Sequence, residues 1–281
     1  MPQPPPLTYR QPSQMTGRSG TQTVERVLAL LACFETEAEL GVTQSARLLA
    51  LSVSTTHRLL QSLKRGGLLA QGRSGRYHLA ARTAALGALA SQRLGFDTAR
   101  PVLEDLARQT GDAVTLGIID SHSSLIIACA PATRDDGITV EPSTRSPLHA
   151  CAMGKTILAF TDPLRLRLDA GPLAPVTERT ITDPAALAQE LQQIRQRGWA
   201  LNDEELISGV RGVSAPVRDT EGQVVAALAV AVPRDRLTRQ QSVILARLVR
   251  ISAARLHGTL VDVSGGKPAT QVPAAAYADL R

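Results

Sequence analysis

Apolar positions in the first third of the chain recur at helical spacing. Val24, Val27, Leu28 and Leu31 form one stripe, and Thr23 is placed to cap the helix they define. The acidic stretch Glu35–Glu39 and Gly41 end that pattern. Thr43 can cap a second short helix with Ala46 and Leu49 inward. Ser52 or Ser54 then caps a third, whose Thr56, Leu59, Leu60 and Leu63 face the core until Gly66-Gly67 stops it. Two short helices joined by about three or four residues have the spacing of a helix-turn-helix. Beyond them the period changes. Leu68-Leu69-Ala70 and Arg76-Tyr77-His78-Leu79 flank Gly72-Arg73-Ser74-Gly75, which predicts a hairpin with Tyr77 and Leu79 on one face and Arg76 and His78 on the other. A glycine-rich turn with basic residues pointing outward reads as a wing. Residues 81–95, with Ala84, Leu86, Leu89 and Leu94, predict a linking helix.

From about Thr98 the pattern alternates between helices and strands. A helix over Pro101–Gln109 ends at Gly111, and Ala113–Ile119 with Leu125–Cys129 predict a hairpin of buried strands. A less regular loop over Pro131–His149 leads to a helix from Ala152 to Phe160. Thr182-Asp183-Pro184 is a cap followed by proline in the first turn, opening a helix that runs to Arg197 and stops at Gly198. Strands follow at Trp199–Asn202, Val213–Val217 and Val224–Val232. Thr238-Arg239-Gln240-Gln241 fits a capping box and opens a last helix to about Leu260. The second half is therefore a sheet flanked by helices, and the whole is of the α+β class.

Charge sharpens this division. Residues 1–96 hold 11 Lys and Arg against 4 Asp and Glu, whereas residues 97–281 hold 20 against 21. Between Leu40 and Phe96 there are eight basic side chains and no acid. That segregation is the footprint expected of a surface that meets a phosphate backbone. Composition, 43% hydrophobic and 20% charged, predicts that most of the 281 residues fold. No apolar run is long enough for a membrane-spanning helix, so no membrane association is expected. Met1–Gly20 is rich in Pro, Gln and Ser and reads as a disordered tail rather than a signal peptide. Cys33, Cys129 and Cys151 are far apart and the histidines are scattered, so no metal site, disulfide framework or cofactor is expected, and the cytoplasm is the expected location.

On the third helix, Ser54, Thr55, His57, Arg58, Gln61 and Lys64 share the exposed face. Residues near the N-terminus of such a helix point into the major groove. Arg58 suits guanine, Gln61 suits adenine, and Ser54 and Thr55 can bond base edges or phosphates. Arg47, Arg73 and Arg76 are placed for phosphate contacts, which position a protein without carrying sequence information. The sequence thus predicts a DNA-binding transcriptional regulator.

At these residues the chain resembles the IclR family of bacterial regulators over roughly residues 21–260. Thr23–Leu28 is similar to the family's opening helix, Ser54–Leu60 to its recognition helix and Arg76–Leu79 to its wing strand. Pro147-Leu148-His149-Ala150 with Gly154-Lys155, then Asn202–Glu205, Gly209-Val210-Arg211 and Val213–Val217, follow in the family's order. The resemblance implies a winged helix-turn-helix domain over 21–80, a linker and dimerisation helix over 81–96 and a GAF-like α/β effector-binding domain over 97–261. Composition, not resemblance, predicts the disordered tail over 1–20 and a second, Gly-, Pro- and Ala-rich one over 262–281. The resemblance also implies a homodimer or dimer of dimers on a double-stranded operator, repression more than activation, and a small-molecule effector. Carried over by position, the effector face would comprise Ala152, Met153, Asn202, Val210, Gly212, Ala229 and Ala231.

The departures from the family pattern change the expected ligand. Val53 stands where a polar residue is common, and Ala50 replaces the usual glycine of the turn. Gly212 replaces a cysteine, Ala229 and Ala231 replace two serines, and Asn202 replaces an aspartate. Four polar groups are reduced or neutralised together, which predicts a roomier, less polar face and a carboxylate larger and less polar than glyoxylate. Three alternatives stand beside this. One is a constitutive regulator with a degenerate effector pocket. Another is a dimeric interaction protein with a vestigial winged helix. The third is an enzyme using Cys151 with His149 as base. No third orienting group, nucleophile elbow or phosphate loop accompanies that pair, so no enzyme is expected.

Overall fold

The computed structural model describes residues 19–120, 123–161 and 173–260. The tail expected over 262–281 lies outside these residues. So does the tail expected over 1–20 as far as residue 18, because Ser19 already opens the first helix. Two compact units are present, divided between Ser91 and Gln92.

The first unit contains α1 (Ser19–Ala32), a 3-10 turn (Cys33–Glu35), α2 (Val42–Leu49), α3 (Val53–Arg65), β1 (Leu69–Gln71), β2 (Tyr77–Leu79) and most of α4 (Ala81–Arg93). Its core joins Leu30, Phe34, Leu40, Leu60, Leu63 and Tyr77. The face of α1 meets the expectation in part: Val27 and Leu31 pack against the core. Thr23 lies inside the helix, and Val24 and Leu28 are 56% and 55% exposed while Ala29 and Leu30 turn inward. Two apolar stripes compete on this helix, and the one in line with Phe34 in the following turn reaches the core. Gly41, not Thr43, is the residue that precedes α2, and the Ser45 hydroxyl donates back to the Gly41 carbonyl (3.0 Å). Ala46 and Leu49 are buried as expected. Ser52 caps α3, its hydroxyl accepting from the Thr55 N–H (3.2 Å), and Thr56, Leu59, Leu60 and Leu63 are buried.

The hairpin pairs Leu69 with Leu79 and Gln71 with Tyr77, antiparallel. Leu40 adds a bridge on the far side of Tyr77. Tyr77 is fully buried, but Leu79, expected on the same face, is 45% exposed. The strand lasts three residues and the chain turns into α4 just after, so the alternation ends before Leu79 can use it. None of the residues of α4 is buried.

The second unit contains α5 (Phe96–Thr110), β3 (Ala113–Asp120), β4 (Ser123–Ala130), β5 (Arg145–Pro147), α6 (Ala152–Phe160), α7 (Pro184–Arg197), β6 (Ala200–Asp203), β7 (Val210–Arg218), β8 (Val224–Pro233) and α8 (Arg239–Arg255). The strand order is β5-β4-β3-β8-β7-β6, and each neighbouring pair is antiparallel. α5 and α8 cover one face over Leu116, Val213, Leu228 and Val230. Burial of each such side chain contributes about 1.5–3 kcal/mol. α6 lies on the opposite face against β3, β7 and β8.

Helix α5 starts earlier than its proline suggests. Gly95, with a left-handed φ of 80°, breaks the chain after α4, and the Thr98 hydroxyl donates to the Gly95 carbonyl (2.5 Å), so Pro101 falls inside the helix. Strand β5 replaces part of the expected loop, and α8 ends at Arg255, short of Leu260. Its capping box is present as expected, with Thr238 and Gln241 bonding reciprocally.

Candidate nucleic-acid interface and effector face

The exposed face of α3 begins with a hydroxyl cluster. The Ser52 hydroxyl donates to Thr55 Oγ1 (2.8 Å) and lies 3.2 Å from that of Ser54. His57 and Arg58 are exposed one turn on, and no carboxylate occurs on the helix. Val53 is exposed at its first position. Gln61 is half-buried. Its Nε2 donates to the Tyr77 hydroxyl (2.8 Å) and lies 3.4 Å from His57 Nε2. Arg47 is exposed on the last turn of α2, and Arg73 is exposed at the tip of the wing.

Arg76, expected at a phosphate, is bonded within the winged unit. Its NH2 donates to the Glu39 carbonyl (2.8 Å) and to Gln44 Oε1 (2.9 Å), and its Nε lies 3.8 Å from the Glu39 carboxylate. The side chain thus clamps the wing to the start of α2. On the other side, Lys64 Nζ donates to Gln71 Oε1 (2.9 Å) and Gln71 Nε2 donates to the Gly75 carbonyl (3.0 Å), bracing the wing against α3. Sequence reasoning missed this bracing, since it joins polar residues on different elements. The turn before α3 is strained: Ala50 has φ 52° and ψ 39°, a left-handed conformation that suits glycine.

In the second unit the seven carried-over positions fall on one face of the sheet and on the helix above it. Asn202, Gly212 and Ala231 lie on one register row with Ala113, across β6, β7, β8 and β3. Ala229 lies on the next row with Ser214 and Thr115, and Val210 opens β7 opposite Pro233. A Cβ on Gly212 would stand 3.5 Å from Asn202 Cβ and 3.6 Å from Ala152 Cβ, so α6 begins directly above this row. Met153 lies over β3: Thr115 Oγ1 is 3.5 Å from its sulfur, and a Cβ on Gly117 would come within 2.7 Å of it. Gly117 therefore makes room for Met153.

Asn202 has a structural use as well. Its Nδ2 donates to the Ala150 carbonyl and its Oδ1 accepts from the Glu205 N–H (3.1 Å). An aspartate would oppose the carbonyl of Ala150, so asparagine suits this latch. Below it, Lys155 is buried, donating to Glu205 Oε1 and Oε2 (2.6 and 2.7 Å) and to the Leu201 carbonyl (2.7 Å). Burial pushes the Glu205 carboxyl up, and the Lys155 ammonium pulls it back. Ser214 was not singled out from sequence, yet its hydroxyl is fully buried and makes no hydrogen bond.

His149 and Cys151 are each engaged with backbone groups. His149 Nε2 bonds the Ala174 carbonyl (2.9 Å), and Cys151 Sγ accepts from the Gly154 N–H (3.2 Å) as the cap of α6. Burial pushes the Cys151 thiol up, away from thiolate.

A winged helix-turn-helix followed by a helix-flanked antiparallel sheet defines a class of regulator that reads DNA and carries a sensing domain. Residues 23–73 match the family model described as the IclR helix-turn-helix domain, and residues 88–257 match that of the bacterial transcriptional regulator IclR C-terminal domain. The chain is 34% identical to the HTH-type transcriptional regulator BhcR of Paracoccus denitrificans (strain Pd 1222), over 78% of this chain and 80% of that protein. It is 36% identical to the glycerol operon regulatory protein of Streptomyces griseus, over 77% and 86% of the two chains. A solved IclR transcriptional regulator from Silicibacter sp. TM1040 covers 89% of this chain and 99% of its own, at 26% identity and a TM-score of 0.76. The chain belongs to the IclR family. It is a DNA-binding transcriptional regulator with a C-terminal effector domain. Among the described residues no helix is long and apolar enough to cross a membrane.

Proposed function

We propose that this regulator represses transcription by laying α3 in the major groove of its operator, with Ser54, Thr55, His57, Arg58 and Gln61 toward the base edges. Arg47 and Arg73 contact phosphates on either side. Arg76 sets the angle of the wing more than it touches DNA, because its guanidinium is bonded inward. The observation that carries this reading is the exposed, acid-free face of α3, held between a braced wing and α2. The test is a gel shift of the intact protein on its own upstream DNA at two salt concentrations. Affinity should fall steeply with salt, since each phosphate contact releases counterions. Weak, salt-insensitive binding would refute it.

Two copies bind together. The linking helix α4 leaves Leu86 and Leu89 exposed, and a second copy would cover them. The effector binds against the row Asn202, Gly212 and Ala231, beside the first turn of α6. That row offers methyl groups and a latched amide, so the ligand is a carboxylate larger and less polar than glyoxylate. Its charge meets the Ala152 and Met153 end of α6. Calorimetric titration with glyoxylate and with aromatic acids tests this, and tight glyoxylate binding would sink it. A second reading is favoured by one observation: Met153 already lies on Thr115 and above Gly117, which suits a closed face and constitutive DNA binding. Catalysis is not part of the proposal, because Cys151 caps a helix and His149 is bonded to backbone.

A further inference from the structure

We infer that Tyr77 is a specificity-determining positioning residue. From the core of the winged unit, its hydroxyl fixes the amide of Gln61 on the groove-facing side of α3. This rests on the reading in which α3 faces base edges, and it explains how one of those side chains is held ready.

Tyr77 is 0% exposed. Its backbone is pinned by Leu40, which exchanges hydrogen bonds with it in both directions (2.9 and 2.8 Å), and on its other side by pairing with Gln71. The ring has no freedom to follow a moving partner, so its hydroxyl is a fixed point. Gln61, sixteen residues earlier, donates to it through Nε2 (2.8 Å). A glutamine on an exposed helix face samples many rotamers and loses that freedom when it binds. Here the loss has already occurred on folding. With Nε2 turned to Tyr77 and lying beside His57 (3.4 Å), Oε1 is the group left for a base. A lone carbonyl acceptor in the major groove selects an exocyclic amino group, that of adenine or cytosine. The wing thus contributes to base choice through a residue that itself touches no DNA.

The test uses the full chain and a pool of random-sequence duplexes. Tyr77→Phe keeps the ring and removes only the hydroxyl, and circular dichroism confirms its fold. The preference at one base-pair position should fall about five- to tenfold. Gln61→Ala should lose the same preference, and the double variant should lose no more than either alone. In Tyr77→Phe the non-specific affinity and salt slope should stay at the wild-type value, which a general loosening of the wing would not allow. If Gln61→Ala changes the base preference and Tyr77→Phe does not, positioning by Tyr77 is wrong and the reading role of α3 stands. If neither substitution changes any preference, both are wrong. If Tyr77→Phe weakens all duplexes alike, or acts equally in the Gln61→Ala background, its role is structural and the inference fails.

Discussion

Replacing Ala50 by glycine should stabilise the helix-turn-helix. Ala50 ends α2 at φ 52° and ψ 39°, and its N–H caps the Ala46 and Arg47 carbonyls. A left-handed conformation costs an L-residue about 1–2 kcal/mol. Glycine avoids that strain but loses about 0.5–1 kcal/mol more backbone entropy on folding. The side chain of Ala50 is exposed, so no packing is removed. The difference is a stabilisation of about 0.5–1 kcal/mol, which corresponds to roughly two- to fivefold slower exchange where exchange follows the opening equilibrium. Hydrogen exchange of the amides of α2 and α3 is the assay. The single tryptophan, Trp199, lies in the other unit and would not report it. Unchanged or faster exchange in Ala50→Gly would show that the turn is not strained and that this arithmetic is wrong.

Other predictions follow from the two sites. Arg73→Ala should lower the salt slope of DNA binding by about 0.9, the value for one phosphate contact. Arg76→Ala should instead leave the slope unchanged and speed hydrogen exchange in β2 and the start of α2, because it releases the clamp on Glu39 and Gln44. Lys155→Met should destabilise the second unit by about 3–5 kcal/mol in urea unfolding followed by Trp199, since it leaves a buried carboxylate without its partner. Adding Glu205→Gln should restore part of that loss, and a Lys155→Met variant of wild-type stability would contradict the pairing. Cys151 should resist iodoacetamide at neutral pH in the folded protein and react once unfolded, because burial keeps the thiol protonated and shields it. Rapid labelling of the native chain at Cys151 would reverse this account of the α6 cap.

The helix-turn-helix was legible because its signals are local. Helical spacing located α2 and α3, and the Ser52 cap and Gly66-Gly67 stop bounded α3, although Thr43 proved to lie inside α2. The inward face of α1 was not, since Val24 and Leu28 compete with Ala29 and Leu30, and only packing against Phe34 decides between them. Leu79 misled for a related reason: alternation predicts a face, but a three-residue strand ends before its last member is covered. Pro101 suggested a helix start that Gly95 and Thr98 set earlier. The effector face was harder. Asn202, Gly212 and Ala231 share a row only because β6, β7 and β8 take a particular register, which no spacing along one strand encodes. The resemblance supplied those positions, yet it could not supply the partner of Asn202, a carbonyl 52 residues away. The same holds for Gln61 and Tyr77, whose contact joins a helix to a wing.

The central claim is that the outward face of α3 reads base pairs, and Arg58 tests it most directly. Arg58→Ala, compared with wild type by selection from random duplexes, should lose the preference for guanine at one position by about tenfold or more. The other positions should keep theirs, and the salt slope should change little. A variant that binds the same sequences with the same preferences as wild type would mean that this face does not meet the bases, and the account would fall with it.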